Sequence, residues 1–394
     1  MNKPRLWTRP FIAVTCVNLF LCLSFYLLLV ITSVYAMDSF SSSPSLAGLA
    51  ASLFVIGGIA SRLYTGRIVE RVGRRKMLYA GLILNLISML AYFATHSYAL
   101  LLIVRFVHGV AFGVSTTGTN TIVASVIPQA RRGEGMAYYI SLSATLSSAI
   151  GPFLGMFIRQ HGSYTMIFGL CSAFAAISLV ATLALQVPEI KLTEAQLKET
   201  RQFNFKGFFE AKAVPISIIC GIMYCCYSSV LTFMSVYAKG INLAAIASFF
   251  FIVLSAATLL IRPFSGRLLD NKGENIVMYP SIILFVAGLI VLNQTHSGLV
   301  LMASAILMGL GLGTIISSGQ AIAIKVAPPH HAGLATSNFF SILDAGVAVG
   351  PYIFGLFVPM AGYSGIYLMA AGLGLIGLFL YYLLQGRNAV KIKL

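Results

Sequence analysis

The sequence predicts an all-α polytopic membrane protein, made of two six-helix bundles that are copies of one another. Composition is the first reason: of 394 residues, 58% are hydrophobic and 9% are charged, whereas a soluble domain carries about 25% charged residues. A series of apolar stretches is the second reason. The third is a repeat, because residues 62–73 read RLYTGRIVERVG and residues 262–273, 200 positions later, read RPFSGRLLDNKG.

The apolar stretches have the length of membrane-spanning helices. A helix needs roughly 20 mostly apolar residues to cross the hydrocarbon core, and lipid offers backbone groups no hydrogen-bond partner, so each stretch is predicted to be helical. The first stretch is not expected to be a cleaved signal peptide, because it is too long and lacks a small-residue cleavage site. The twelve predicted spans are 11–35, 46–66, 77–95, 99–126, 135–158, 165–187, 213–236, 244–266, 276–293, 299–326, 334–358 and 364–386.

The repeat extends beyond the opening phrase and sets the domain organisation. Thr95-His96-Ser97 recurs as Thr295-His296-Ser297. Each half has six spans, an even number, so the two copies share one orientation, and a binding site is expected between them near the membrane midplane. The predicted domains are an N-terminal bundle, a polar cytoplasmic linker and a C-terminal bundle, at 1–187, 188–212 and 213–394.

The distribution of positive charge favours a membrane over a nucleic acid as the partner. The net charge is +16, but 23 of the 26 Lys and Arg residues fall at predicted cytoplasmic ends. Arg159 and Lys239 fall on the outer side, and Arg105 is the only basic residue assigned to the interior of a span. This asymmetry follows the positive-inside rule and predicts that both termini are cytoplasmic.

No metal site and no cofactor are predicted. The six cysteines lie in apolar spans without the paired spacing of a zinc site, and the adjacent His330 and His331 are a weak signal. The sequence has no G-x4-G-K-[ST] loop, so ATP is not the expected energy source.

The repeated turn resembles a known family signature. Residues 66–76, GRIVERVGRRK, resemble the G-x-L-A-D-R-x-G-R-R turn of the major facilitator superfamily, with Glu70 in place of Asp. The resemblance implies a twelve-helix transporter, expected to be a monomer, in which this turn and its second copy form a cytoplasmic gate. A positive cluster that only sets topology is the alternative. The gate residues are Gly66, Arg67, Glu70, Arg71, Gly73, Arg74, Arg75, Gly266, Arg267, Asp270 and Gly273.

Asp344 is the candidate proton carrier. It is the only one of the ten acidic residues that lies deep in a predicted span, and an ionisable group at that depth is a functional hypothesis by default. Ser337, Ser341 and Asp344 follow helical spacing and form one polar stripe. A structural aspartate that is protonated and bonded to a neighbouring helix is the alternative.

Arg105 and His108 are the other candidates for proton coupling. The pattern from Leu101 to Gly113, L-x3-R-x2-H-G-x3-G, resembles the fourth-helix motif of proton-coupled members of the superfamily, whose arginine takes part in proton transfer. Arg105 would tune the carboxyl of Asp344. For His108, a proton relay and a hydrogen-bonded core histidine both remain open.

Gly151, Pro152 and Gly155 resemble the core of the antiporter motif of the same family, G-x3-G-P-x2-G-G, with Ser147 in place of its first glycine and Met156 in place of its last. Proline removes a helix hydrogen bond, which permits a hinge. The motif favours export, while a kinked helix without directional meaning is the alternative. Gly350-Pro351 repeats the pair one residue out of register.

The resemblance places the first, fourth, seventh and tenth helices around a substrate cavity. The expected activity is proton-coupled export of a small drug-like molecule or metabolite, as in the drug and metabolite antiporter branch, powered by the proton gradient across the cell membrane. An importer or facilitator of a sugar, organic anion or peptide remains open, as does, remotely, a membrane enzyme or receptor. The cavity candidates are Asn18, Phe25, Tyr26, Asn120, Tyr224, Tyr227, Ser317, Gln320, Ser337 and Ser341.

Overall fold

The structure is a computed structural model that describes residues 5–128, 131–183, 185, 210–327 and 332–387. The chain divides into two compact units, Met1–Ser41 with Leu53–Phe203 and Ser42–Ser52 with Asn204–Leu394. Most of the predicted linker, 188–212, lies outside the described residues. The domain boundaries at 187 and 213 therefore stay predictions.

The first unit is built around its first helix. Helix α1 packs against α4, α6 and α7 and is buried along most of its length. A π-helical turn, Ser141–Thr145, joins α5 to α6. The helices are α1 Arg9–Phe40, α2 Pro44–Val72, α3 Arg74–Ala91, α4 Tyr98–Val126, α5 Arg132–Ile140, α6 Leu146–His161 and α7 Tyr164–Leu183. The start of α2, up to Ser52, is assigned to the second unit.

The second unit has the same kind of packing. Helix α13 lies along α8, and α12 packs against both α10 and α11. A second π-helical turn, Tyr382–Gly386, follows α13. The helices are α8 Val214–Gly240, α9 Ala244–Ala247, α10 Phe250–Lys272, α11 Glu274–Asn293, α12 Gly298–Val326 and α13 Ala332–Tyr381.

The protein is a multi-pass membrane protein. Among the described residues, eleven helical segments are long and apolar enough to cross a bilayer. The last of them, Asn338–Gly386, covers the two spans that the sequence predicts at 334–358 and 364–386. Gly362 lies between those two spans and has a non-helical backbone conformation, φ 68°.

The repeated Thr-His-Ser phrase begins the fourth helix of each half. The side chain of Ser97 accepts a hydrogen bond from the backbone N–H of Leu100 at 3.3 Å, and Ser297 accepts one from Val300 at 3.4 Å. A serine at this position satisfies one of the donors that a helix N-terminus leaves open. The repeated phrase therefore marks the start of the fourth helix in both halves.

Glycines at helical spacing let α2 and α4 pack closely. A Cβ on Gly109 would meet the backbone of Phe54, and one on Gly113 would lie 2.5 Å from the carbonyl oxygen of Gly58. In the second half a Cβ on Gly313 would lie 2.9 Å from the Cα of Thr258. Small residues that permit close backbone approach are typical of membrane helix pairs.

The π-helical turn explains the displaced Gly-Pro pair. Gly151-Pro152 and Gly350-Pro351 are 199 residues apart, whereas Ser97 and Ser297 are 200 apart. A π turn has i→i+5 bonds and holds one residue more than an α turn. Residues 141–145 form such a turn, while 341–345 are α-helical, so the first copy contains an extra residue before its Gly-Pro pair.

Gly73 and Gly273 produce the reversals in the repeated turn. Each separates two helices and has positive φ, 102° and 88°, a conformation that residues with a Cβ adopt only with strain. A Cβ on Gly66 or on Gly266 would meet no described atom within 4 Å.

We expect Gly73→Ala to destabilise the purified protein by about 1–3 kcal/mol, because alanine would hold a strained backbone conformation. Gly66→Ala is the matched control in the same turn, and its effect should be neutral or stabilising by up to about 1 kcal/mol, since alanine favours helix. Thermal unfolding in detergent measures both. Equal melting temperatures for the two variants would contradict the assignment.

Candidate functional site

A buried polar cluster surrounds Arg105 inside the first unit. Arg105 is 0% exposed and His108 is 1% exposed, and both lie on α4. The guanidinium Nη1 of Arg105 donates to the hydroxyl of Tyr92 at 3.3 Å, and that hydroxyl is 3.1 Å from Nδ1 of His108. The structure thus joins two of the three predicted coupling residues through a tyrosine that the sequence prediction missed.

Aromatic rings cover this cluster. The guanidinium carbon of Arg105 lies 4.6 Å from the ring centroid of Phe54, a distance typical of a cation–π contact. The ring of His108 meets the same phenylalanine edge-on at 4.6 Å. Phe25, one of the cavity candidates, stacks on Phe54 at 5.2 Å and on Phe112 at 5.1 Å. An aromatic layer therefore separates Arg105 and His108 from Tyr26, which lies 4.8 Å from Phe25.

Arg62, like Arg105, falls within a candidate membrane span. The prediction that Arg105 is the only such residue is wrong, because α2 continues to Val72 and Arg62 falls within the candidate span Pro44–Gly66. Its guanidinium carbon lies 5.7 Å from the ring centroid of Phe112, and the residue is half-buried. Arg262, the equivalent residue in the second half, also lies inside a predicted span, 244–266. This repeated position could have indicated that Arg62 lies within a span.

Asn18 belongs to a hydrogen-bond network that joins α1, α4 and the π turn. Its Nδ2 donates to Ser143 at 2.8 Å, and its Oδ1 accepts from Thr119 at 3.2 Å. The hydroxyl of Tyr139 is 3.1 Å from Thr119 and 2.9 Å from the Oδ1 of Asn120. Asn18 is 6% exposed, whereas Asn120 is exposed.

The antiporter-like motif forms the contact between α6 and α1. The side chain of Ser147 donates to the carbonyl oxygen of Leu19 at 3.1 Å. A Cβ on Gly151 would lie 2.9 Å from the backbone nitrogen of Leu27, and one on Gly155 would lie 3.1 Å from its carbonyl oxygen. Small residues at spacing four therefore let the two helix backbones touch. Pro152 is buried beside them within α6.

Asp344 lies in α13 of the second unit. It is half-buried and stands twelve residues after the first residue of the helix, about 18 Å along the helix axis at 1.5 Å per residue. Its stripe neighbour Ser341 is also half-buried. The side chain of Ser337 lies outside the described residues.

Two other acids in the described spans lie at helix ends and have basic partners. Asp38, near the end of α1, pairs with Arg159 at 2.8 Å. Glu274 is the first residue of α11, where a helix N-terminus favours negative charge. It is 7% exposed, pairs with Lys325 at 3.3 Å and accepts from Gln385 at 3.0 Å. Asp344 is distinguished from both by its depth.

The remaining cavity candidates lie on α8 and α12. Tyr224 is half-buried and Tyr227 is buried, with ring centroids 6.1 Å apart. Ser317 is half-buried and donates to the carbonyl oxygen of Gly313, in its own helix, at 2.9 Å. Gln320 is half-buried. These residues stay predictions for substrate contact.

The gate is described only in part. Arg71 and Arg75 are exposed, and Arg74 is buried. The side chains of four predicted gate residues lie outside the described residues: Arg67, Glu70, Arg267 and Asp270. No group of three or more metal-ligating side chains occurs in the ranges that the structure covers.

The fold and these clusters define a helical, multi-pass membrane protein with an internal repeat and ionisable groups at membrane depth. A sequence model of the Major Facilitator Superfamily matches residues 14–337 and 273–393. The chain belongs to this superfamily.

Its relatives include proteins named for export. The chain is 21% identical to the staphylopine export protein of Staphylococcus aureus, over 85% of this chain and 86% of that protein. It is 24% identical to the multidrug resistance protein MdtG of Klebsiella pneumoniae, over 81% of this chain and 78% of that protein.

Solved structures of other transporters have the same fold. The nucleoside transporter NupG matches with a TM-score of 0.75 at 15% identity, covering 96% of this chain and 99% of that chain. A POT family transporter in complex with a thioalcohol-conjugated peptide matches with a TM-score of 0.79 at 13% identity, covering 96% of each chain. At these identities the likeness concerns the fold alone.

We expect Gly151→Ala to destabilise the protein by about 1–3 kcal/mol, because the new methyl group would overpack the contact between α6 and α1. Gly169→Ala in α7 is the matched control, since a Cβ there meets no described atom within 4 Å. Thermal unfolding of both purified variants measures the difference. A Gly151→Ala variant as stable as Gly169→Ala would show that the helices are not in backbone contact.

Proposed function

We propose that the protein is a secondary transporter that exports a small organic molecule in exchange for protons by alternating access. Gly362 divides the last long helical segment into two spans, so the eleven candidate segments correspond to twelve transmembrane helices in two six-helix bundles. The protein is then a transporter of the cell membrane and not an enzyme, with both termini cytoplasmic and the monomer as the working unit.

The observation that carries the proton coupling is the position of Asp344. A carboxyl group at membrane depth is costly to ionise unless water or a cation reaches it. Asp344 stands twelve residues into α13 and is half-buried, whereas Asp38 and Glu274 lie at helix ends. Asp344 is therefore our proton carrier.

Arg105 supplies the fixed positive charge of the first unit. It is fully buried and is held by Tyr92 and the ring of Phe54. A buried cation that cannot lose its proton favours the ionised form of an acid that approaches it. We assign Arg105 the role of promoting proton release from Asp344.

The direction of transport rests on the relatives and on the α6–α1 contact. Two relatives that align over most of the chain are named for staphylopine export and multidrug resistance. The motif that resembles the antiporter signature has a physical role here, because Ser147, Gly151 and Gly155 bring α6 against α1. Both observations support export.

The substrate is proposed to contact aromatic and uncharged polar side chains. Phe25 and Tyr26 of α1, Asn120 of α4 and Tyr224 of α8 are at least partly exposed. Such a surface suits a drug-like compound or an amphipathic metabolite. The cytoplasmic gate is assigned to Glu70, Asp270 and the arginines around them, on the sequence motif alone.

Import is the second candidate. NupG and the POT family transporter have the same fold and are titled for nucleosides and peptides, so the fold is compatible with other cargoes. Inside-out vesicles separate the two directions, since an exporter accumulates its substrate within them and an importer driven by proton symport does not.

Asp344→Asn should abolish proton-coupled flux. Inside-out vesicles acidified by respiration quench a fluorescent acridine, and a compound exchanged for protons relieves the quenching. Compounds are first chosen by their ability to raise the melting temperature of the purified protein. With Asp344→Asn, relief should fall to the level of vesicles that lack the protein, because asparagine cannot carry the proton.

Asp38→Asn, which makes the same substitution at the ion pair with Arg159 near the end of α1, is the control and should retain the relief of quenching. If Asp344→Asn still relieved quenching to the wild-type extent, Asp344 would not be the proton carrier. If no compound relieved quenching with the wild-type protein, the transport would not be proton exchange.

A further inference from the structure

The hydrogen-bond partners around Arg105 favour one placement of the protons. A guanidinium group can only donate, so in the contact between Arg105 Nη1 and Tyr92 at 3.3 Å the phenol oxygen is the acceptor. A tyrosine hydroxyl has one hydrogen of its own. That hydrogen remains for the second contact of the hydroxyl, with Nδ1 of His108 at 3.1 Å.

Nδ1 of His108 then acts as the acceptor. A neutral imidazole has one acceptor nitrogen and one N–H, so an accepting Nδ1 leaves the ring proton on Nε2. A doubly protonated ring would direct a second N–H at the oxygen of Tyr92 and would place a second positive charge beside Arg105. Both residues are at most 1% exposed, so water would not screen that repulsion.

The surroundings of His108 offer it no carboxylate among the described contacts. The ionisable groups that face the cluster are Arg105 on the same helix, Tyr92 after α3 and Cys171 of α7, which acts electrostatically on Tyr92. From α2 the neighbour is the ring of Phe54, 4.6 Å away. From α1, the hydroxyl of Tyr35 lies 2.8 Å from that of Thr95, which donates to the carbonyl oxygen of Tyr92, and the ring of Tyr35 contacts Phe168.

We propose that Tyr92 and a neutral His108 form a fixed hydrogen-bond anchor that holds the guanidinium of Arg105, with the proton of His108 on Nε2. Tyr92 and His108 are then positioning residues, and His108 does not carry the exchanged proton. The anchor rests on geometry alone. Only its consequence for transport rests on the proposed function.

Solid-state ¹⁵N spectra of the histidine-labelled protein in lipid test the anchor without any substrate. The spectrum of His108→Asn, compared with that of the parent, identifies the signals of His108. We expect one protonated nitrogen, Nε2, and one unprotonated nitrogen, Nδ1, at about pH 8 and still at about pH 6, on both sides of the ordinary imidazole value. Protonation of both nitrogens at the lower pH, or a proton on Nδ1, would overturn the proposal.

Two variants test the role of the anchor in transport. Asparagine at position 108 has an oxygen near the place of Nδ1 and does not titrate, so His108→Asn should retain coupled flux with the pH profile of the parent. Tyr92→Phe removes the shared hydroxyl, and coupled flux should fall about tenfold, the rate equivalent of one hydrogen bond to a charged group.

Tyr237→Phe is the matched control for Tyr92→Phe. It removes a buried hydroxyl that donates to the carbonyl oxygen of Leu292 at 2.7 Å, in the second unit. Both variants should lose similar stability, but only Tyr92→Phe should change the pH profile of coupled flux. Loss of the pH dependence of coupled flux in a folded His108→Asn variant would show that His108 is a relay. Equal pH profiles of coupled flux for the two tyrosine variants would show that Tyr92 has no role in the coupling. A parent without proton coupling would refute the proposed function, while the ¹⁵N spectra would still decide the anchor.

Discussion

The fold depends on the lack of hydrogen-bond partners in lipid, which forces polar groups at membrane depth to find partners within the protein. The first unit meets this constraint with side-chain networks that join helices. Asn18 connects α1 to α4 and to the π turn, and Arg105 donates to the hydroxyl of Tyr92 and lies over the ring of Phe54. Asp344 differs from Asp38 and Glu274 in its depth, because it stands twelve residues into α13 and is half-buried there, and a carboxyl group at that depth is costly. Its cost is explained if it exchanges protons.

Close backbone contact is the second requirement, and the two halves meet it in the same way. Without a hydrophobic driving force between helices in lipid, association relies on packing of small residues. In the first unit Gly151 and Gly155 bring α6 onto α1, and in the second a Cβ on Gly346 would meet α8 at the backbone nitrogen of Cys225, 3.1 Å away. The π turn keeps these equivalent contacts in place although the two Gly-Pro pairs are 199 residues apart. The extra residue is therefore absorbed within the helix and does not disturb the packing.

The sequence predicted much of the fold because the bilayer converts composition directly into structure. The apolar stretches follow from length and composition, which are local properties. The helix starts at Ser97 and Ser297 and the positive φ of Gly73 and Gly273 emerged from the structure. The π turn could not be predicted, since apolar periodicity does not distinguish it from an α turn. The site was predicted only as separate residues. Spacing along one helix does not give the side-chain directions across helices. Those directions decide that Tyr92 joins Arg105 to His108. They also decide that Asn18 is enclosed while Asn120 is exposed. Arg62 was missed because it lies next to the basic turn, and it was counted with that turn.

The central claim is that the carboxyl group of Asp344 exchanges a proton with water. Infrared difference spectroscopy of the protein in lipid measures this directly, because a protonated carboxyl has a C=O stretch that disappears on ionisation. The account predicts that lowering the pH produces such a band in the wild-type protein, that hydrogen–deuterium exchange shifts it, and that Asp344→Asn lacks it while Ser341→Ala retains it. If the difference between the wild-type and Asp344→Asn spectra did not change with pH, the account would be contradicted.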